Sequence, residues 1–163
     1  MNLPSVNEII VTEAGGDWPT KSGGFLNVLY KLDWDIVNKF LTYEEEELKK
    51  VPVDIRGLSS YRVTHIPQGT VGANEWHKIR NEVVFVLKGK IKWTCTDTQG
   101  ETKEFILDGS QSVFTPHHIL HTYEALEEDS TISVLANTLF DPGDPCTFDT
   151  YSKEEFDTRI TVV

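Results

Sequence analysis

"GANEWHKIRNEVVFVLKG", residues 72–89, starts with polar and charged side chains and ends as an apolar run. Glu75, His77 and Glu82 fall within eight positions of one another, and Glu82 opens the apolar part. In an extended chain alternate side chains share a face, so Glu75 and His77 point one way and Trp76 and Lys78 the other. Glu82 follows after a short connection at the head of the next strand. Two carboxylates and an imidazole gathered at one point make a mixed nitrogen and oxygen donor set, which divalent cations accept.

A second stretch, "GSQSVFTPHHILHTYEA", residues 109–125, offers a further donor. Gly109 precedes a strand, Pro116 turns the chain, and His121 opens another strand. Tyr123, two positions on, shares the face of His121. His117 and His118 occupy the turn between. His118 lies beside the same cluster and titrates near neutrality, so it is a candidate acid or base.

The texture around these stretches is β from about residue 58 onward. "SSYRVTHIP", "NEVVFVLKG", "KIKWTCTDT", "GETKEFILDG", "SQSVFTP", "HTYEAL" and "STISVLANTLF" are short and separated by Gly, Pro, Asp and Asn turns. Gly89 sits between two of them as in a hairpin. No helical pattern intervenes, which favours a β-sandwich or barrel over alternating βαβ units. Ahead of this block, "GGFLNVLYKLDWD" (residues 23–35) reads as a strand. "TYEEEELKKV" reads as a short helix, with Thr42 and Glu45 in the Ser/Thr-x-x-Glu starting pattern and Pro52 as its stop. One more short helix is expected around residues 152–156. A chain of 163 residues favours one domain: an N-terminal strand-and-helix segment, 1–57, belonging to the same domain as a barrel and tail, 58–163.

The formal net charge of −11 repels phosphate backbones and argues against a nucleic-acid partner. No apolar run approaches the ~20 residues that span a bilayer, and the first residues lack the basic start and apolar core of a secretory signal. A cytoplasmic protein with free thiols at Cys95 and Cys146 is expected.

Together the two motif stretches resemble the paired motifs of the cupin superfamily. The first, Gly-x5-His-x-His-x3/4-Glu-x6-Gly, is matched by Gly69, Glu75, His77, Glu82 and Gly89, with Glu75 in the first histidine slot. The second, Gly-x5-Pro-x-Gly-x2-His-x3-Asn, is matched by Gly109, Pro116, His118 in the glycine slot, His121 and Ala125 in the asparagine slot, with one extra residue before the proline. The resemblance covers roughly residues 60–140. It implies an all-β, single-domain cupin, a double-stranded β-helix or jelly-roll barrel, with a short N-terminal helix. It also implies a divalent metal ion held by His77, Glu82 and His121, with Glu75 as fourth ligand or free as a base. Zinc is the first expectation, with iron, manganese and nickel as alternatives.

Within the superfamily, "HKIRNEVVFVLKG" and "VLANTLFDPGDPCTFDTYSKEEF" resemble the zinc cupin domain of capsular-polysaccharide enzymes and the nucleotide-sugar 3,4-ketoisomerases, relatives of dTDP-4-dehydrorhamnose 3,5-epimerases. Those isomerases carry Arg-Gly-x-His at the start of the motif; here Gly72 and Glu75 stand in the arginine and histidine slots. The resemblance implies an epimerase or ketoisomerase acting on a nucleotide-linked keto sugar by proton abstraction beside the carbonyl. Glu75 or His118 would move the proton, Tyr123 would donate to the developing oxyanion or reprotonate carbon, and Arg62 would meet the substrate phosphates. Two other readings stay open: an iron-dependent dioxygenase acting on a small organic acid, and a non-catalytic sugar-binding cupin. Cupin barrels pair through early strands, so "GGFLNVLYKL" is expected to support a homodimer.

Overall fold

The computed structural model describes residues 3–13 and 15–160. Its strands are β1 (Ile10–Glu13), β2 (Gly15–Pro19), β3 (Phe25–Val28), β4 (Arg56–Ile66), β5 (Val71–Trp76), β6 (Glu82–Lys88), β7 (Lys90–Thr96), β8 (Thr102–Asp108), β9 (Gln111–Thr115), β10 (Leu120–Ala125), β11 (Ser130–Thr138) and β12 (Tyr151–Ser152). Its α-helices are α1 (Trp34–Phe40), α2 (Glu45–Leu48) and α3 (Lys153–Asp157). One five-stranded antiparallel sheet runs β1-β9-β6-β11-β4 and a second runs β12-β5-β10-β7-β8, while β2 and β3 form a separate two-stranded ribbon.

From β4 onward the chain passes repeatedly from one sheet to the other, which winds the two into a jelly roll. This corrects the reading of Gly89 as a hairpin. β6 belongs to the first sheet and β7 to the second, so the residue between them is a corner. Its φ of 79° suits glycine, and a Cβ there would overlap the Ser130 hydroxyl. The hairpin in this part of the chain is β7–β8, paired from Lys90↔Asp108 to Thr96↔Thr102.

Alternation along β7 turns Ile91, Trp93 and Cys95 inward, where they meet Val84, Val86, Val113, Ile132 and Val134 from the opposite sheet. Each such side chain contributes roughly 1.5–3 kcal/mol by leaving water. Burial also pushes the Cys95 thiol up to about 12, so it behaves as a small apolar residue. The run Val83 to Val86 does not alternate because β6 is covered on both faces. Val84 and Val86 face the barrel core, and Val83 and Phe85 pack with Phe114 against Ile36 and Phe40 of α1.

α1 corrects the expectation of a strand through residue 35: the strand ends at Val28 and a helix begins at Trp34. The Asp33 carboxylate caps it, accepting the Ile36 N–H at 2.9 Å. α2 lies where a helix was expected, but Thr42 does not start it. The residue before α2 is Glu44, which makes no side-chain cap, and the Thr42 hydroxyl donates back to the Asn38 carbonyl at 2.8 Å. At the other end of the chain, α3 follows a capping box formed by Ser152 and Glu155. With Tyr151 it covers Trp76 and Leu120 through Phe156. Among the described residues no helix is long and apolar enough to cross a membrane.

Candidate active site

Strand register brings the two motif stretches together. β10 pairs β5 with His121 opposite Glu75, and the register then shifts so that Thr122 faces Ala73. The extra residue is Asn74; it and Ala73 adopt positive φ of 63° and 60°. This bulge re-aims the end of β5. Beyond it Trp76 packs outward with Phe156, while Glu75 and His77 share the other side with His121. The ligand atoms of Glu75, His77 and His121 lie within 4.8 Å of one another.

Glu82, at the start of β6, joins this cluster without being equivalent to the other three. His77 Nε2 is 3.4 Å from Glu82 Oε1, and His121 Nε2 is 3.5 Å from Glu82 Oε2. The same Oε1 accepts a hydrogen bond from the Tyr61 hydroxyl at 2.7 Å and stands 3.7 Å from Arg80 Nη1. Of the four expected ligands, therefore, all meet at the cluster, and Glu82 is also held by a tyrosine and stands beside an arginine.

Each imidazole is held from behind. His77 Nδ1 lies 2.6 Å from the Asp149 carbonyl and His121 Nδ1 3.1 Å from the Ile119 carbonyl. A carbonyl only accepts, so each neutral ring carries its proton on Nδ1 and turns an Nε2 lone pair towards the carboxylates. Both Nε2 atoms are buried with no hydrogen-bond partner among the described residues. Two inward lone pairs facing carboxylate oxygens need positive charge between them, and this donor set fits a divalent cation. Burial opposes protonation of His77, but the neighbouring Glu82 carboxylate outweighs it and shifts His77 upward. Burial also works against ionised Glu82, yet His77, then His121 and Arg80, hold it well below the usual carboxylate range. The Trp93 indole stacks on the His121 ring at 5.2 Å and 17°, which fixes its plane.

A cavity of about 240 Å³ opens onto this cluster. Glu75, Glu82, His121 and Tyr123 supply its polar wall, and Tyr61, Val63, Ile132 and Val134 line it from the facing sheet. Tyr123 approaches Gly72 so closely that a Cβ there would overlap its ring and hydroxyl. Burial, then the Glu75 charge, raises the Tyr123 phenol, so it stays protonated at neutral pH.

Two expected site residues are not brought to this cavity. Arg62 is exposed on β4 between Tyr61 and Val63, both of which line the cavity, so alternation turns it to the outer face. His118 is buried, but its Nδ1 accepts from Arg159 Nη1 at 2.9 Å and its ring lies 5.7 Å from that of Trp76, on the outer side of the second sheet. His118 has a φ of 60°, and this left-handed turn aims its ring away from the cluster.

The connection carrying His77 contains residues that motif spacing does not reveal. The buried Asp149 carboxylate accepts the N–H groups of Lys78, Ile79 and Arg80 at 2.8–3.1 Å. Asn81 Oδ1 accepts the His117 N–H at 2.8 Å, and its Nδ2 donates to the carbonyls of Lys39, Phe40 and Thr42 at the end of α1. Polar residues crowded into "HKIRNE" were the one available signal, because a buried loop must satisfy its backbone groups from somewhere.

Two antiparallel sheets wound as a jelly roll around an inward cluster of histidines and carboxylates define a cupin. More narrowly, the chain belongs to the FdtA, WxcM-like C-terminal family, whose model matches residues 30–155. No curated protein matches the sequence. Solved structures match it over most of its length at low identity. A mutant of the 3,4-ketoisomerase QdtA from Thermoanaerobacterium thermosaccharolyticum, in complex with TDP-4-keto-6-deoxyglucose, is 18% identical with a TM-score of 0.62, covering 94% of this chain and 95% of that one. WlaRA, a TDP-fucose-3,4-ketoisomerase from Campylobacter jejuni, is 13% identical with a TM-score of 0.62, covering 94% and 96%. The dTDP-6-deoxy-D-glucose-3,5-epimerase RmlC from Legionella pneumophila, in complex with dTDP-4-keto-L-rhamnose, is 13% identical with a TM-score of 0.60, covering 90% and 73%. At these identities the likeness establishes a shared fold.

Proposed function

We propose that this protein is an isomerase or epimerase that moves a proton on the carbon beside the keto group of a nucleotide-linked sugar. Family membership and the TDP-sugar enzymes that share its fold support the substrate class. The observation that carries the reaction type is the meeting of the Glu75 carboxylate and the protonated Tyr123 phenol in one cavity. Glu75 takes the proton from carbon. Tyr123 donates to the oxyanion as it forms and stands ready to return a proton. A cavity of about 240 Å³ is smaller than the ~300–1,000 Å³ that encloses a drug-sized ligand. It takes the sugar ring and leaves the nucleotide at the mouth.

His77 and His121, with Glu75 or Glu82, would hold a divalent cation, for which zinc is first choice given two imidazoles. When bound, such an ion polarises a keto oxygen. The test is incubation of the purified protein with TDP-4-keto-6-deoxyglucose, followed by NMR of the sugar. The expected product has its carbonyl moved or a neighbouring centre inverted. A protein that binds this compound saturably and returns it unchanged contradicts the proposal and favours the binding role.

The reading includes a homodimer. Among the described residues β4 pairs with β11 alone and leaves a long free edge, and Phe25 and Leu26 of the β2–β3 ribbon are largely exposed; both are features that a second copy would cover. A monomer mass by light scattering at micromolar concentration would contradict it.

A further inference from the structure

Arg80 has no part in the proton transfer just described, yet it is one of the most enclosed charges in the molecule, with 3% of its surface exposed. Asp149 holds its backbone N–H at 2.8 Å. Its Nε donates to Thr138 Oγ1 at 3.2 Å, and its Nη1 donates to the Tyr61 hydroxyl at 3.4 Å. The guanidinium carbon lies 5.4 Å from the centre of the Phe140 ring. Nη2 has no hydrogen-bond partner among the described residues.

A guanidinium does not give up its proton, so burying it demands a counter-charge. Among the described residues the carboxylate within ion-pair distance is Glu82, at 3.7 Å. Tyr61 donates to the same oxygen and receives from Arg80, so the three groups form one chain ending on Glu82 Oε1. This engages one oxygen of Glu82, Oε1, while Oε2 stays 3.5 Å from His121 Nε2.

We propose that Arg80 is a positioning residue that competes with a cation for Glu82 Oε1 and keeps the site's affinity for divalent cations low. It does so twice over. It competes for one oxygen of the carboxylate that faces both imidazoles, and its own positive charge repels a dication through a low-dielectric interior, where Coulomb forces are weakly screened. The inference rests on the reading of Glu75, His77 and His121 as a cation site.

The probe is Zn²⁺ alone, titrated into the apoprotein against a chromophoric chelator, for wild type, R80Q, R80K and the double variant R80Q/E82Q. Circular dichroism checks the fold, and thermal unfolding is followed with and without Zn²⁺. R80Q removes the charge and keeps an amide able to donate to Tyr61, and it is expected to bind Zn²⁺ at least about tenfold more tightly. R80K keeps the charge and stays within about threefold of wild type. R80Q/E82Q binds Zn²⁺ more weakly than R80Q, because the carboxylate oxygen that R80Q frees is absent. Should R80Q not fold without metal, its rescue by Zn²⁺ in the thermal scan counts for the inference and failure of rescue against it. Zn²⁺ affinity in R80Q equal to or weaker than wild type, including no binding by either, overturns it. The sugar assay fails separately. Tighter zinc binding with no turnover in any protein removes the isomerase reading and leaves this inference standing, and turnover with unchanged zinc affinity does the reverse.

Discussion

His77 and His118 are buried equally, at 2% exposure each, and one backbone hydrogen bond joins them, from the His118 N–H to the His77 carbonyl at 2.7 Å. Their rings nevertheless live in opposite electrostatic surroundings. His77 faces Glu82, and that carboxylate overcomes the penalty of burial and raises it. His118 faces Arg159 across 2.9 Å. Burial, then His117, Arg159 and Lys78, push it down to about 3, so it is a neutral acceptor in a structural cluster with Trp76. Burial alone therefore does not mark a reactive histidine. The sign of the charge that the ring faces separates the two, and one left-handed turn residue decides which charge that is.

The sharpest way to break this contrast is to remove the carboxylate on the His77 side. E82Q leaves Arg80 buried without its counter-ion, which costs about 3–5 kcal/mol of stability, and the cavity loses the anion that orients both imidazoles. Urea unfolding measures it; a loss under about 1 kcal/mol would mean that Arg80 finds its compensation elsewhere.

The His118 side is tested through pH. Its folded value of about 3 lies below the unfolded histidine value of about 6.5, so between these limits the unfolded chain binds a proton that the folded chain does not. The contribution is present above pH about 6.5 and is lost as pH falls towards 3. H118Q flattens this acid limb in urea titrations run from pH 7 to pH 4, and turnover stays within about threefold of wild type. A drop of more than tenfold in turnover would return His118 to the reacting centre.

A smaller change sharpens the cavity side. In G72A the added methyl displaces the Tyr123 hydroxyl, and a shift of about 1 Å at a reacting group costs on the order of 10–100-fold in rate. The turnover rate falls into that range while the unfolding midpoint stays within a few degrees. Unchanged turnover would show that Tyr123 takes no part.

The β texture from residue 58 was legible because turn residues punctuate short runs of strand-forming side chains. The proximity of His121 to Glu75 and His77 was legible because two spaced motifs had to meet across neighbouring strands. α1 was hidden by a bias towards reading "GGFLNVLYKLDWD" as one strand, although Asp33, Ile36 and Phe40 already carry a cap and an i,i+4 apolar pair. Gly89 misled for a physical reason: two strands flanking a glycine look the same in sequence whether they pair or part to different sheets. Arg80, Tyr61 and Asp149 were out of reach because their roles depend on non-local contacts, in the case of Asp149 with a loop about seventy residues earlier. The orientation of His118 depends on a single φ that spacing does not encode.

The central claim is proton transfer by Glu75 at a carbon beside a keto group, and solvent exchange tests it most directly. Wild type, E75Q and H118Q are incubated with TDP-4-keto-6-deoxyglucose in deuterium oxide, and the sugar hydrogens next to the carbonyl are followed by proton NMR. The account predicts that wild type and H118Q wash deuterium into that position and that E75Q does so at least about 100-fold more slowly. Exchange in E75Q at the wild-type rate, or none with folded wild type, would contradict it.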